Sequence, residues 1–407
     1  MTKNVGRQRT SIVSRIYSPE PSAASFRLKA VATALAESGT DVQVLTTLPA
    51  GKSCYPPNSE QQSERIRVKR WPVLRDKAGY VRGYLPYLSF DIPLFFRLLL
   101  GDRSDVVLVE PPPTTGVVTR LATAIRRIPY VWYAADVWSD ATKIAGAPGV
   151  VVAAVRAMER FAVRGAAGSI AVSEGVAQRV RALGGRNVVV VPNGIDTDIY
   201  RPDVPKLSAA ELEARGISGP YALYAGTASE WQGAKVFAEA MDIVAETDRS
   251  SQLVFVGQGS EWEKLEQLSE QLRLRHGRDV VVLLPPTDPA SVARLLVGAE
   301  VALVSIVPGK GYDFAYPTKV LAALASGVPA IYAGAGPLAE EMQASGLGWV
   351  TDHNPNAVAQ ALSTAFEAGR RGEPDLHLRD HVEAKRSLAT TGKRVAQFVR
   401  SLARTPS

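Results

Sequence analysis

The feature that most constrains this chain is an alternation that runs through it twice. Short runs of β-branched and other apolar residues alternate with stretches of helical period, pause over residues 192–205, and then begin again. In the first set, residues 11–16, 42–46, 106–109, 130–133, 169–172 and 188–191 read as strands. In the second set, 221–224, 253–256, 280–284, 301–306, 330–332 and 348–351 do so. Apolar runs this continuous suit strands buried on both faces, as in a parallel sheet covered by helices. A helix is predicted from Ser25, with Leu28, Val31, Ala32 and Leu35 on one face and Gly39 to stop it. Residues 150–163 and 176–183 read as further helices. The expectation is an α/β chain with two successive open sheets, residues 1–203 and 204–380, and a hinge near 196–220. The last stretch, about 380–403, reads as one long helix, so 381–407 is expected to cross back to the first domain. Ligands of such sheets bind outside the carboxyl ends of the strands, and two sheets facing each other would enclose a cleft for two substrates.

A length of 407 residues suits two domains of ordinary size. The lone Cys54 excludes an internal disulfide framework and a thiolate metal cluster. Of the four histidines, His377 and His381 have the spacing of helix-borne ligands, but the residues between them give no HExxH pattern, so a solvated helix start is expected there and no metal. No segment reaches about 18 uninterrupted apolar residues, so none is expected to span a bilayer. The polar, basic start of the chain is not that of a signal peptide, which points to the cytosol.

Residues 1–200 hold 26 Lys and Arg against 16 Asp and Glu, a balance of +10 within a total of +7. A basic first half fits an anionic surface, phospholipid or nucleic acid, or else a solvated face without a partner. The basic residues are scattered and form no recognised nucleic-acid motif, so no nucleic-acid partner is expected.

Four places carry chemistry in their residue types. Pro192-Asn193-Gly194 ends a buried strand with a turn that tolerates positive φ. Gly257 and Gly259 follow a strand, which lets backbone N–H groups approach a diphosphate, or simply makes a tight turn. Thr318 and Lys319 open a helix, where a hydroxyl, a cation and free N–H groups can meet the charge of a leaving diphosphate; a surface lysine is the plain alternative. Asp136 lies just past an apolar run, where a carboxylate can orient or deprotonate an acceptor hydroxyl, or cap the next helix.

Together with Ile195-Asp196 and Tyr200-Arg201-Pro202, the Pro192-Asn193-Gly194 string resembles the signature of retaining family-4 glycosyltransferases of GT-B fold. The resemblance extends to Tyr224-Ala225-Gly226-Thr227, to the Gly257–Gly259 turn, to Tyr312 with Pro317-Thr318-Lys319-Val320, and to Ala325-Ser326-Gly327-Val328-Pro329. In the first half, Tyr17-Ser18-Pro19-Glu20-Pro21 through Arg27, then Ala135-Asp136-Val137-Trp138, resemble members that build bacterial surface polysaccharides, a fucosamine-transferase-like subgroup. This likeness implies two facing Rossmann-like domains, the first for an acceptor, lipid-linked or carbohydrate, and the second for a nucleotide-sugar. It implies a hexosyltransferase-type activity with retention of configuration, no metal and no cofactor. It assigns Gly226, Thr227, Lys235, Gly257, Gly259, Tyr312, Thr318 and Lys319 to donor binding, Glu20 and Arg27 to the acceptor, and Asp136 and Lys319 to catalysis.

The chain also departs from that pattern. Many relatives carry a Glu-x7-Glu pair whose second member grips the donor ribose, where Phe314 and Ala322 stand here. They carry Arg and Lys soon after the glycine that opens the second domain, where Thr227 and Gln232 stand, and Ala135 replaces a histidine. Two other readings therefore stay open: a non-catalytic partner of a true transferase, and a nucleotide-sugar 2-epimerase, against which the scarcity of histidines speaks. Residues 84–100, apolar with Arg82 and Arg97 near the ends, suit a bilayer interface at the inner face of the plasma membrane, or equally a core segment interrupted by Pro86 and Pro93.

Overall fold

The structure, a computed structural model, describes residues 7–20, 22–49, 63–76, 81, 83–144, 146–313, 315–369 and 374–403. Pro21, Cys54, Arg82 and Phe314 lie outside the described residues. The chain forms two compact units, Met1–Asn193 with Leu388–Ser407, and Gly194–Ser387. It leaves the first at 193/194, where sequence placed the change at 203/204, because Ile195, Tyr200 and Leu207 already pack on the core of the second.

The first unit runs β1 (Arg9–Val13), α1 (Ala23–Glu37), β2 (Asp41–Thr47), β3 (Ile66–Trp71), α2 (Tyr84–Leu100), β4 (Val106–Val109), α3 (Pro113–Arg126), β5 (Tyr130–Ala134), α4 (Trp138–Ile144), α5 (Gly149–Gly165), β6 (Gly168–Ala171), α6 (Glu174–Ala182) and β7 (Val188–Val190). All its strands are parallel, in the order β3-β2-β1-β4-β5-β6-β7. The order reverses between β1 and β4, which makes their carboxyl ends the switch point where open sheets receive ligands. Ile12 faces one helix layer with Leu28, Val31 and Leu35, and Val13 faces the other with Phe90, Leu94 and Val163. Ser22 caps α1 by accepting the Ser25 N–H, so the helix begins before Ser25. The prolines expected to interrupt 84–100 do not: α2 is continuous. Pro86 falls in its first turn, where N–H groups have no helical partner anyway, and Pro93 is accommodated inside.

The second unit runs α7 (Ala209–Glu213), β8 (Tyr221–Thr227), α8 (Lys235–Val244), β9 (Gln252–Gln258), α9 (Trp262–His276), β10 (Val281–Leu284), α10 (Pro289–Gly298), β11 (Val301–Ser305), α11 (Thr318–Ala325), β12 (Ala330–Ala333), α12 (Pro337–Ser345), β13 (Gly348–Thr351), α13 (Pro355–Ala368) and α14 (Leu376–Arg386). Its parallel sheet has the order β10-β9-β8-β11-β12-β13, with the switch point between β8 and β11.

The tail is not one long helix. Ser387 is extended, with φ −73° and ψ 147°, and separates α14 from α15 (Leu388–Ser401). Ser387 bridges to Ile195, whereas Val395, Ala396 and Val399 of α15 are buried in the first core against α1. Asn193 and Gly194 do not use the positive φ expected of them. Space is what requires the glycine: a β-carbon on Gly194 would stand 2.7 Å from the carbonyl oxygens of Arg386 and Ser387.

Candidate functional site

In the second unit, α11 starts behind Pro317 and carries Lys319 back toward the carboxyl end of β8. The ammonium donates to the Thr227 carbonyl oxygen at 2.7 Å and to the Tyr224 hydroxyl, and stands 4.0 Å from the centre of the Tyr224 ring. The Tyr224 hydroxyl in turn donates to the same Thr227 oxygen at 2.8 Å. Burial lowers the Lys319 ammonium to about 7 and raises the Tyr224 phenol. Among the described residues no carboxylate is a hydrogen-bond or ion-pair partner of Lys319, so its charge leans on neutral oxygens and a π face. Such a cation favours an arriving anion.

Gly226, Thr227, Thr318, Lys319 and Ala322 share one cavity of about 290 Å³ with an apolar floor that includes Leu223. Gly226 has φ 128°, and a β-carbon there would come within 2.8 Å of the Lys319 side chain. Gly257 and Gly259 are not among the residues that line this cavity. Their β-carbons would lie 2.1 Å from the Gly226 carbonyl oxygen and 2.0 Å from that of Ala228, so they let β9 and its exit approach β8. Tyr312 stacks on Trp231 with centroids 4.8 Å apart. Lys235 is not among the residues that line the Lys319 cavity: it opens α8 and pairs with Glu239 at 2.6 Å.

In the first unit, Arg27 projects from α1 into the switch point and is only 4% exposed. It forms an ion pair with Glu110, the residue after β4, donates to Asn193 Oδ1 at 3.0 Å, and lies 4.9 Å from the Tyr133 ring centre. Glu110 also accepts from the Ser14 hydroxyl at 3.1 Å. Burial alone would lower the Arg27 guanidinium; Glu110, Tyr133 and Asp136 outweigh it and raise it. Asp136 follows β5 with an exposed face, and the protein packed around it raises its carboxyl, Arg27 opposing and Glu110 adding to the rise. Asp136 is thus placed beside Arg27 and free of a helix-capping duty, because the Glu159 carboxylate accepts the Trp138 and Ser139 N–H groups at the start of α4. Glu20 pairs with Arg75 at 3.0 Å.

Sequence reasoning passed over Glu110, the contact of Tyr224 with Lys319, and a second buried cluster at the end of β1. There Arg15 lies 3.8 Å from the Tyr87 ring centre, and Asp91, fully buried, accepts from Thr115 at 2.6 Å. Burial lowers Arg15 against the pull of Tyr87 and Asp91, and raises Asp91. The two spaced histidines go separate ways: His381 pairs with Glu341 at 2.9 Å, and His377 meets the Ser345 carbonyl oxygen at 3.2 Å.

Two open parallel sheets, each with polar or charged side chains gathered at its switch point, are the architecture of a GT-B glycosyltransferase, and known proteins bear this out. Residues 23–194 match the family model described as glycosyl transferase 4-like domain, and residues 219–368 that described as glycosyl transferases group 1. The chain is a glycosyltransferase whose two halves carry these two family domains. No curated protein matches it. Among solved structures it is similar to HepE of Anabaena in complex with UDP and glucose, at 17% identity and TM-score 0.68 over 97% of this chain and 100% of that one. It is similar to sucrose-phosphate synthase of Thermosynechococcus elongatus, at 17% identity and TM-score 0.73 over 97% and 99%. WaaG, a glycosyltransferase involved in lipopolysaccharide biosynthesis, matches at 16% identity and TM-score 0.66 over 96% and 99%.

Proposed function

We propose that this glycosyltransferase moves a hexosyl group from a nucleotide-sugar to a lipid-linked acceptor, with retention of configuration, at the cytoplasmic face of the membrane, in assembly of bacterial surface polysaccharide or glycolipid. The observation that carries the reading is Lys319, a half-buried ammonium with no carboxylate partner among the described residues, beside Gly226 and Thr227 in the cavity at the β8–β11 switch point. The leaving diphosphate would take the place of the Thr227 and Tyr224 oxygens around that ammonium. Its negative charge grows as the sugar C1–oxygen bond breaks, and a preorganised cation there acts on the transition state rather than the ground state. No resident metal or cofactor is needed in this scheme. The acceptor oxygen bonds to C1 on the same face, and its proton passes to the departing diphosphate. Asp136 orients the acceptor hydroxyl, and Arg27 and Glu20 belong to the acceptor half. The complexes of HepE with UDP and glucose support a uridine donor among those to be tried.

Incubation with UDP-, GDP- and dTDP-sugars, with release of nucleoside diphosphate as readout, tests the reading. The expected result is release from one donor class, lowered on the order of 10²-fold in Lys319→Ala. Ala322, where relatives place a ribose-gripping glutamate, favours the reading as a catalytically inert partner subunit, and absence of release from every donor would establish that one instead.

A further inference from the structure

We propose that the outer face of α2, α3 and α5 is the surface by which this enzyme docks on an anionic lipid bilayer. The inference takes its purpose from the lipid-linked acceptor proposed above, but its evidence is separate. These three helices cover one face of the first sheet, α3 packed between the other two. Their inward residues, among them Phe90, Leu94 and Val163, form the core. Their outward residues are not the polar set a solvated layer would carry. Leu88, Ile92 and Phe96 make a stripe on α2 at spacings of four, continued by Leu121 and Ile125 on α3 and Phe161 on α5, with Ile92 55% and Ile125 63% exposed. Among the described residues, the opposite layer, α1 and α15, shows no large apolar side chain that is exposed. An apolar patch this concentrated marks a contact surface.

Charge says what the contact is. The three helices contain two acidic residues, Asp91 and Glu159, and both are buried, 0% and 1% exposed. Their basic residues are all arginines, and Arg156, Arg160 and Arg164 stand exposed along α5. The Arg120 guanidinium lies 4.0 Å from the centre of the Phe161 ring, which sets a cation at the edge of the apolar surface. Apolar side chains among outward arginines, with no outward acid on these three helices and only Asp140 of α4 at their edge, 3.9 Å from Arg156, match a membrane interface of anionic headgroups. A second copy of the chain would set arginine rows against arginine rows, which like charges oppose. The helices lie on such a surface rather than cross it, since none is long and apolar enough to span. The opposite side of α2 gives Tyr87 to Arg15 at the carboxyl end of β1, so docking would bring the headgroup layer within about 10 Å, one helix diameter, of the first switch point.

The test is co-flotation of the full chain with vesicles of phosphatidylcholine alone and with phosphatidylglycerol added. The expected result is binding to the anionic vesicles that weakens with salt, lowered on the order of 10-fold or more both in Ile92→Glu/Phe96→Glu and in Arg156→Gln/Arg160→Gln. A Lys29→Gln/Lys393→Gln variant on the opposite layer should bind as wild type, and thermal unfolding must be unchanged in all three. Absence of binding, equal binding to both vesicles, or full binding by the two α2 and α5 variants overturns the proposal. So does sedimentation that shows a dimer dissolved by Ile92→Glu/Phe96→Glu, which would give the face to a second copy. The acceptor reading fails separately: vesicle binding with transfer only to water-soluble acceptors keeps the docking face, whereas transfer to a detergent-dispersed polyprenyl acceptor without vesicle binding keeps the acceptor and removes the face.

Discussion

Arg27 and Asn193, 166 residues apart in the chain, are joined by a hydrogen bond of 3.0 Å from the guanidinium to Oδ1. The same guanidinium holds Glu110, so the asparagine of the Pro192-Asn193-Gly194 string completes a buried charge network rather than a turn. Truncating one partner leaves a buried charge short of a bond worth about 1.5–3 kcal/mol. Arg27→Ala and Asn193→Ala should each lower stability, and the pair should be coupled by about 1 kcal/mol or more. Denaturant unfolding of the two single variants and the double variant measures the coupling; strict additivity would mean that the bond contributes nothing.

Gly226 is where Lys319 needs room. A β-carbon would press on the lysine chain at 2.8 Å, on a backbone with φ 128°. Gly226→Ala should shift the ammonium off Thr227 and weaken nucleotide binding. Strain of about 1–3 kcal/mol is expected at such a φ, so the thermal shift with ligand must be compared with that of the ligand-free variant. An unchanged ligand-induced shift would show that the lysine is not pinned as described.

The place proposed for Lys319 at the donor diphosphate predicts a pH dependence of donor binding with a definite sign. Free, it titrates near about 7 because burial disfavours its charge. A bound diphosphate favours the charged form and raises that value. Above pH 7 the complex therefore holds more protons than its parts, and affinity falls as pH rises toward the raised value; below pH 7 the lysine is charged in both states and contributes no slope. Calorimetry at pH 8 in buffers of different ionisation enthalpy should report proton uptake, absent in Lys319→Ala. Equal heats in both buffers would remove the linkage.

Asp136→Asn should leave nucleotide affinity near wild type and depress transfer, because the residue belongs to the first unit beside Arg27. Removal of a positioned acid–base group lowers rates by about 10²–10⁴-fold. Equal collapse of UDP affinity, read by calorimetry, would place the residue on the donor side.

Ala322 lines the Lys319 cavity one helical turn on, and is 7% exposed. Ala322→Glu should let a carboxylate reach ribose hydroxyls, each charged bond being worth about 1.5–3 kcal/mol. The variant should gain affinity for UDP over dUDP, whereas natural Ala322 should distinguish them poorly. A folded variant with an unchanged ratio would sink the proposal; loss of folding, seen by circular dichroism, would instead mark 322 as a packing site.

Much of the fold was legible because buried parallel strands announce themselves as unbroken apolar runs: 106–109, buried throughout, matched residue for residue. The edge strand β3 was missed for the same reason. Its residues alternate, Ile66 and Val68 inward and Arg67 and Lys69 outward, as half-covered edge strands do. Lys319, Thr318, Gly226 and Thr227 could be drawn together on a resemblance. Tyr224 as a partner of Lys319 could not, nor Glu110 as that of Arg27, since contacts across 95 and 83 residues leave no local pattern. Lys235 shows the converse: its neighbour Glu239 four residues on gave a local partner that was readable all along.

The placement of α15 sets an order of events during translation. Val395, Ala396 and Val399 seal the cluster that holds Leu28, Val31 and Leu35, and Gly392 packs so closely on α1 that a β-carbon would stand 2.6 Å from the Ala30 carbonyl oxygen. A nascent chain ordinarily finishes its first domain while the second is still being made. Here the opening half of the polypeptide keeps an apolar flank uncovered until the ribosome has passed residue 399, so the first unit begun is the last to be completed.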